Sequence, residues 1–421
     1  MAMTLLGTPN FTNALKEVVL PYIKDNYPKE TILLDKFKAS AEVKFINDEF
    51  LAPIRSSRHG GIGNLPNDSA NINAANGARV TRGTIAPKIV TGAFNISHMV
   101  IAAAKAGNMS AVEDALSFQS RTLPSDFARH LNRQYYSDGV GVISQVLGSV
   151  SGTEFSVMRP DSGLDDGRSI DWYGSVNGDI NPIKYFADDQ VIGLGTAGAV
   201  IGTVSALTGT SVQLTGATAT VGSDAVFILH GSPTAATAGT AEVQGIRRAL
   251  SSTTGTSLYA GLARNTNAWT PQFGSVSEAL TQDRLEISYL DATEYSMNSD
   301  KYVILVNKTL FRKYGDILTT MRRSVNQLDL VGGWKGLEFA AGAGSVSVVL
   351  DRDVPDGEAL IINLNTWVVC QISDIDWFSD PETGSMLKIQ NSIQYQATLL
   401  YYVNLFCLAP AANGRETQKT D

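Results

Sequence analysis

The stretch SAVEDALSFQSRTLPSDFARHLNRQYYSDGVG, Ser110–Gly141, decides how the chain is read. Ser110 followed three residues later by Glu113 is a reciprocal cap that satisfies two of the amide donors left open at a helix start. Val112, Ala115, Leu116 and Gln119 then place apolar groups largely on one face. Pro124 interrupts the pattern, yet proline suits the first position of a new helical turn, and Phe127, Leu131 and Tyr135 resume at four-residue spacing. Asp138-Gly139-Val140-Gly141 tolerates positive φ and ends the segment before Leu147. The spacing predicts a helix broken at Pro124. Taken alone, it fits a broken amphipathic helix of any α+β domain equally well.

Ahead of this stretch, Thr12–Ile23 carries Leu15, Val18, Val19 and Tyr22 on a helical stripe that Pro21 bends or ends, and Ile32-Leu33-Leu34 is the next apolar cluster. Together they read as an arm: a short helix and an extended lead-in. Val43, Phe45 and Ile46 suggest a strand that stops at Pro53. From Pro53 to about Pro87 neither period holds, and Gly60-Gly61-Ile62-Gly63 and Asn71-Ile72-Asn73-Ala74-Ala75-Asn76-Gly77 dominate. So long an irregular stretch cannot bury a core of its own, which predicts a projecting loop that rests on something else. Arg55, Arg58, Arg79, Arg82 and Lys88 face only Asp68 there, a basic segment in a chain of net charge −8. These five are the candidates for reaching an acidic surface on a neighbouring copy; a solvated loop is the alternative. Ile89-Val90 and Phe94-Asn95-Ile96 are the expected return leg of a long hairpin.

Beyond the helix, Asp161–Asp189 is rich in Asp and Gly, with no calcium-loop spacing, and reads as turns. Val191–Gly239 holds Asp224 as its one charged residue. It repeats short apolar pieces between Gly/Thr turns: Val191-Ile192, Val200-Ile201, Val212-Gln213-Leu214 and Val226-Phe227-Ile228-Leu229. That pattern predicts a small antiparallel barrel or sandwich, the candidate inserted subdomain. Ser275–Tyr295 is helical by period, with Val276, Leu280, Leu285 (or Ile287) and Leu290 inward. A buried strand Tyr302–Val306, a helix Lys308–Arg322, and strands at Val346–Leu350, Ala359–Ile362 and Trp367–Cys370 follow. The last long element, Gln394–Leu408, is stopped by Pro410 and leaves a polar tail.

The length of 421 residues allows about two to three domains, and 43% hydrophobic with 18% charged content suits a globular chain with a real core. No apolar run approaches the ~20 residues of a membrane span, and the start lacks a signal-peptide pattern, so the chain is expected to stay where it is made. Cys370 and Cys407 sit in apolar runs, as buried free thiols do. His59, His98, His130 and His230 show no ligand spacing. The acidic balance argues against a protein whose main work is gripping phosphate. Gly139-Val140-Gly141 and Gly61-Ile62-Gly63 lack the third glycine of a dinucleotide loop, and no phosphate loop, nucleophile elbow or zinc pair occurs. Asp351–Glu358 reads as a tight connection between strands rather than a calcium loop, because Pro355 takes a ligand position. No catalytic, cofactor-binding or metal-binding residue is expected, and the chain is not expected to be an enzyme.

Taken in order, these segments resemble the major capsid proteins of tailed bacteriophages, the Hong Kong 97-type fold, over nearly the whole chain. The glycine-rich basic segment is similar to the family's extended loop, Ser110–Gly141 to its spine helix, and Asp138–Gly141 to the step that follows it. Gly245-Ile246-Arg247-Arg248-Ala249-Leu250, Tyr259-Ala260-Gly261-Leu262-Ala263-Arg264 and Trp269 resemble the segment joining an inserted β-domain to the axial domain. Tyr302–Val306 with its helix, Val349-Leu350-Asp351 and Val354-Pro355-Asp356-Gly357 resemble the axial core, and Asn404-Leu405-Phe406-Cys407 the strand that returns to the peripheral domain.

The resemblance implies an α+β chain made of an N-terminal arm (1–40), extended loop with flanking strands (41–100), spine helix of a peripheral domain (101–148), and linker with the start of an axial domain (149–189). An inserted small β-domain (190–245), axial domain (246–384), return strand (385–410) and polar C-terminal tail (411–421) complete it. It also implies self-assembly into pentamers and hexamers of an icosahedral shell around double-stranded DNA, in a virion assembled in the bacterial host cytoplasm. The implied partners are other copies of the chain and a portal protein at one vertex; whether a decoration protein binds is left open. A separate scaffolding protein is implied too, because no long charged N-terminal extension is present. Some relatives cross-link neighbours through Lys and Asn; Lys88 lies in the right region, but no acceptor or helping Glu matches, so those roles are not carried over. The alternatives are an encapsulin-like nanocompartment shell of the same fold, and a calcium-binding or polysaccharide-binding multi-domain β protein.

Overall fold

A computed structural model describes residues 32–39, 43–57, 59–64, 76–99, 102, 109–139, 142–145, 150–156, 185–187, 190–194, 199–208, 211–215, 220–221, 226–229, 242–251, 258–264, 269–274, 278–296, 301–320, 327–330, 334–341, 344–355, 357–379, 386–389, 392–417 and 419–420. The stripe at Thr12–Ile23, the Asp-rich turns before Tyr185, Val276 and Arg322-Arg323 lie outside these residues. The chain divides into two compact units: Met1–Asp35, Lys88–Val243 and Gln371–Val403 form one, and Lys36–Pro87, Gln244–Cys370 and Asn404–Asp421 the other.

In the first unit one continuous helix runs from Met109 to Tyr136, so the break expected at Pro124 does not occur. Proline removes one helical amide donor, and the Thr122 hydroxyl donates to the Phe118 carbonyl at 3.0 Å in the preceding turn. Burial of the C-terminal part outweighs the loss, since Phe127, Leu131, Tyr135, Tyr136 and the intervening Asn132, Arg133 and Gln134 are all buried. The helix stops where expected, with Gly139 at φ 87 and its amide donating to Ser137 Oγ.

The buried polar side chains at this helix end tie in other segments. Asn132 Oδ1 accepts the Leu33 and Leu34 amides, at 3.2 and 3.4 Å, open donors in the first turn of the short helix Ile32–Lys36. Arg133 pairs with Glu242, and the Val243 amide donates to Gln134 Oε1 at 3.2 Å. Gln134 Nε2 lies 2.8 Å from His130 Nε2, which as the acceptor holds the imidazole neutral. Burial, and then neighbouring Arg133, push that imidazole down to about 3.

Lys88–Ser97 is not the return leg of the hairpin. It pairs antiparallel with the first part of Gln394–Cys407, from Ser97 opposite Gln394 to Lys88 opposite Val403. Gly92 faces the long helix: a Cβ there would meet Leu123 and Phe127 at 3.2 Å. The same unit holds a six-stranded antiparallel sheet, in order Val142–Gln145, Val226–Leu229, Val191–Leu194, Ala199–Leu207, Ser211–Thr215, Glu154–Ser156. All four apolar pieces read from the sequence are strands in it. Two further strands come from before residue 190, and Phe155, Ile192, Val204, Val212 and Leu214 form its buried side.

The second unit is built on a seven-stranded sheet, ordered Gln272–Gly274, Gly414–Glu416, Ala359–Asn363, Tyr302–Val306, Gly344–Leu350, Trp334–Ala341, Gln327–Leu330. Tyr302–Val306 is buried at every residue, as its unbroken apolar run predicts, and runs parallel to Gly344–Leu350 after the crossover helix Lys308–Thr320. The preceding helix is Gln282–Glu294, capped by Thr281, whose hydroxyl accepts the Arg284 amide. It begins later than its period suggests because Glu278–Ala279 pairs with Lys419–Thr420 as a strand. Leu285 and Tyr289 face the core, whereas Ile287 and the expected inward Leu290 are exposed.

The segment expected as a polar tail is a buried strand. Arg415 donates to Glu358 through Nε at 3.0 Å and Nη2 at 2.6 Å, with Arg247 3.5 Å from the same carboxylate. Glu416 accepts from Ser288 and, at 3.2 Å, from Arg284 Nε. Burial alone raises a carboxyl pKa, but Arg415 and Arg247 together hold Glu358 below its ordinary value. Cys370 and Cys407 are free, buried thiols pushed up to about 12 by burial.

Arg415→Ala removes both hydrogen bonds to the Glu358 carboxylate, leaves it only Arg247, and is expected to cost about 2–4 kcal/mol in denaturant melts, whereas a loss under ~1 kcal/mol contradicts the paired strand. His130 stays neutral in the fold while the unfolded chain takes up a proton below ~6.5. Stability should therefore fall with pH from 6.5 to 5, by up to about 1.4 kcal/mol per unit, and His130→Gln should flatten that slope. An unchanged slope contradicts the buried neutral imidazole.

Candidate assembly interface

The basic segment is built on a three-stranded antiparallel ribbon, Lys44–Ile46, Glu49–Arg55 and Val80–Ile85. Asn47 and Asp48, at φ 51 and 62, form the two-residue turn between the first two strands, a conformation these residue types tolerate. Pro53 does not end the strand. The Ser56 amide donates to the Arg79 carbonyl, which makes Pro53–Arg82 a non-hydrogen-bonded pair, so the missing N–H points to an edge that Lys44–Ile46 no longer covers.

One face of the ribbon is seated within its own unit. Phe50, Ala52 and Ile85 are buried, and a Cβ on Gly83 would come within 2.7 Å of Ile54 Cδ1 and 2.9 Å of Phe406 Cζ. The outer edge is held too: the Thr84 amide donates to the Ala260 carbonyl at 2.9 Å, and Asn404 Nδ2 to the Ala86 carbonyl at 2.7 Å. Ala260 and Gly261, at φ 51 and 75, are the turn joining Leu258–Tyr259 to Leu262–Ala263. Tyr259 stacks on Phe406, lies beside Trp269, accepts the Cys407 amide at its hydroxyl and carries the Arg264 guanidinium over its ring. The motif Tyr259–Arg264 with Trp269 is therefore the seat of the ribbon.

The other face is bare. The cross-strand pairs Leu51–Thr84, Pro53–Arg82 and Arg55–Val80 share it, with Arg55, Arg82 and Pro53 exposed and Val80 66% exposed. Arg55 Nε donates to the Ser57 carbonyl at 3.2 Å, and exposed Arg79 is fixed through its backbone to Ser56 and Ser57. Arg58 lies outside the described residues. Lys88 is half-buried in the other unit, its ammonium pKa lowered by burial. The structure thus brings Arg55, Arg79 and Arg82 onto one ribbon, whereas Lys88 begins the strand Lys88–Ser97 of the other unit. Sequence reading missed Val80 and Pro53 between the arginines, although the alternation in Val80-Thr81-Arg82-Gly83-Thr84-Ile85 carries the signal. Among the described residues no group of three His, Cys, Asp or Glu could hold a metal, and no helix is long and apolar enough to cross a membrane.

No protein-family model matches the sequence, and no curated protein does. Among solved structures, a chain of the cyanophage A-1(L) capsid asymmetric unit aligns over 99% of this chain and 100% of its own, at 13% identity and a TM-score of 0.56. The holo-SrpI encapsulin complex of Synechococcus elongatus aligns over 100% and 96% at 8% identity with a TM-score of 0.46. The capsid of a native GTA particle aligns over 100% of both chains at 9% identity, also at 0.46. The two weaker likenesses add nothing to the first, which shows that this α+β chain has the Hong Kong 97-type capsid fold.

Gly83→Val is expected to unseat the ribbon and cost about 1–3 kcal/mol, while Arg55→Glu with Arg82→Glu shifts stability of the unassembled chain by no more than ~0.5 kcal/mol. Thermal melts of purified chain check both, and a large loss from the arginine pair contradicts their exposure.

Proposed function

We propose that this protein is the major subunit of a tailed-phage head: copies form pentamers and hexamers that close an icosahedral shell around double-stranded DNA. The ribbon carries this reading. One of its faces is locked to its own unit, and the other sets two guanidinium groups beside exposed Pro53 and Val80 with nothing described above them. A ribbon bare on one side gains most by lying across a neighbour, and small contacts repeated around a ring sum to a stable container. The shared capsid fold supports the same reading. Net charge −8 suits a wall that must not grip its genome.

In this assignment Met109–Tyr136 is the spine of a peripheral domain, the seven-stranded sheet belongs to an axial domain at the ring centre, and the antiparallel sheet within 142–229 is an insertion. A separate scaffolding protein and a portal protein are the expected partners, in a virion assembled in the bacterial host cytoplasm. Co-expressed with a scaffolding protein, the chain should sediment as closed shells or as rings of five and six, with negative-stain images to match. A monomer under every condition contradicts the assignment, and shells that enclose protein cargo in place of DNA redirect it to a nanocompartment.

A further inference from the structure

The helix Gln282–Glu294 presents an exposed face opposite the one it buries. Asp283, Ile287, Leu290, Asp291 and Glu294 are exposed, with Ile287 49% and Leu290 41% exposed. They recur at helical spacing, opposite the buried Leu285, Tyr289 and Ala292. The row spans roughly 16 Å of helix axis. Its charge arrangement is unfavourable in the isolated chain. Asp291 and Glu294 are like charges three residues apart. Asp291 and Glu294 stand at the negative end of the helix dipole, and the last turn holds no basic residue. Arg284, the basic side chain of this helix, is turned to Glu416. A cationic occupant with apolar groups between its charges would offset Asp291 and Glu294 and cover Ile287 and Leu290.

The bare face of the ribbon has that composition: Arg55 and Arg82 on neighbouring strands, offset by about 7 Å along the ribbon, with Pro53 and Val80 between them. We propose that the outer face of the ribbon docks on the Asp283–Glu294 face of a second copy, with Arg55 and Arg82 against its carboxylates and Val80 against Ile287 and Leu290. This rests on the shell reading and names the acceptor surface within it. Another exposed apolar and acidic stretch, Ile372–Phe378, fits less well because its carboxylates are engaged. Asp374 accepts from Gln371 Nε2 at 2.8 Å and Asp376 from the Trp377 amide at 2.7 Å.

A charge-swap cycle tests the pairing, with full-length chain, scaffold co-expression and shell yield by sedimentation, and with melts of the unassembled chains to confirm folding. Arg55→Glu with Arg82→Glu, and separately Asp291→Lys with Glu294→Lys, should each lower yield about tenfold or more, and the four changes together should restore most of it. If the helix reversal leaves yield unchanged while the ribbon reversal abolishes shells, the acceptor is elsewhere and this pairing falls, though the shell reading stands. Rescue of the ribbon variant by Asp374→Lys with Asp376→Lys overturns it in favour of the other stretch. If the unmodified chain forms no shell with scaffold, the shell reading itself fails and the pairing with it.

Discussion

Both units are completed by the last stretch of the chain. Gln394–Val403 gives Lys88–Ser97 its hydrogen-bonding partner, and Gly414–Glu416 fills the place between Ala359–Asn363 and Gln272–Gly274. A buried strand cannot leave its amides and carbonyls unpaired, so each sheet stays unfinished until the C-terminal residues arrive. That strand also carries Arg415 and Glu416 indoors, which the fold tolerates because Glu358, Arg247, Arg284 and Ser288 answer them. Contacts between residues some three hundred positions apart must close late, and a chain of this topology folds slowly for that reason.

What the sequence made legible was the set of elements whose own periodicity dictates them. Tyr302–Val306, Val212-Gln213-Leu214 and the stripe Phe127, Leu131 and Tyr135 each announce a buried face locally, and the four apolar pieces between Val191 and Leu229 each announce a strand. Partner choice is not local. The alternation in Lys88–Ser97 marks a strand without saying whether its mate is the preceding segment or one at Gln394. The same limit hid the C-terminal strand, because Gly-Arg-Glu reads as solvated until Glu358 and Arg284 are seen beside it. Pro53 misled in the opposite sense: proline excludes a central ladder position, and here its pairing geometry turns the missing donor to an open edge. At the ribbon the charge pattern and the expectation of a neighbour were legible, while the seat around Tyr259 and the exposed apolar residues beside the arginines needed the cross-strand register.

In the proposed shell the ribbon is the part of the chain that meets a neighbouring copy. Gly83 and Phe406 fix one face, Ala260 and Asn404 hold its edge and base, and the remaining face is rigid, basic and partly apolar before any partner arrives. A rigid contact surface loses little conformational entropy on docking, so modest charge pairs suffice when many copies repeat them.

An electron cryo-microscopy reconstruction of the assembled particles tests the central claim most directly. The proposed shell predicts five-fold and six-fold rings in which Glu49–Arg55 and Val80–Ile85 of each copy lie across an adjacent subunit. Particles in which that ribbon contacts only its own chain, or a preparation that yields no symmetric rings, would contradict it.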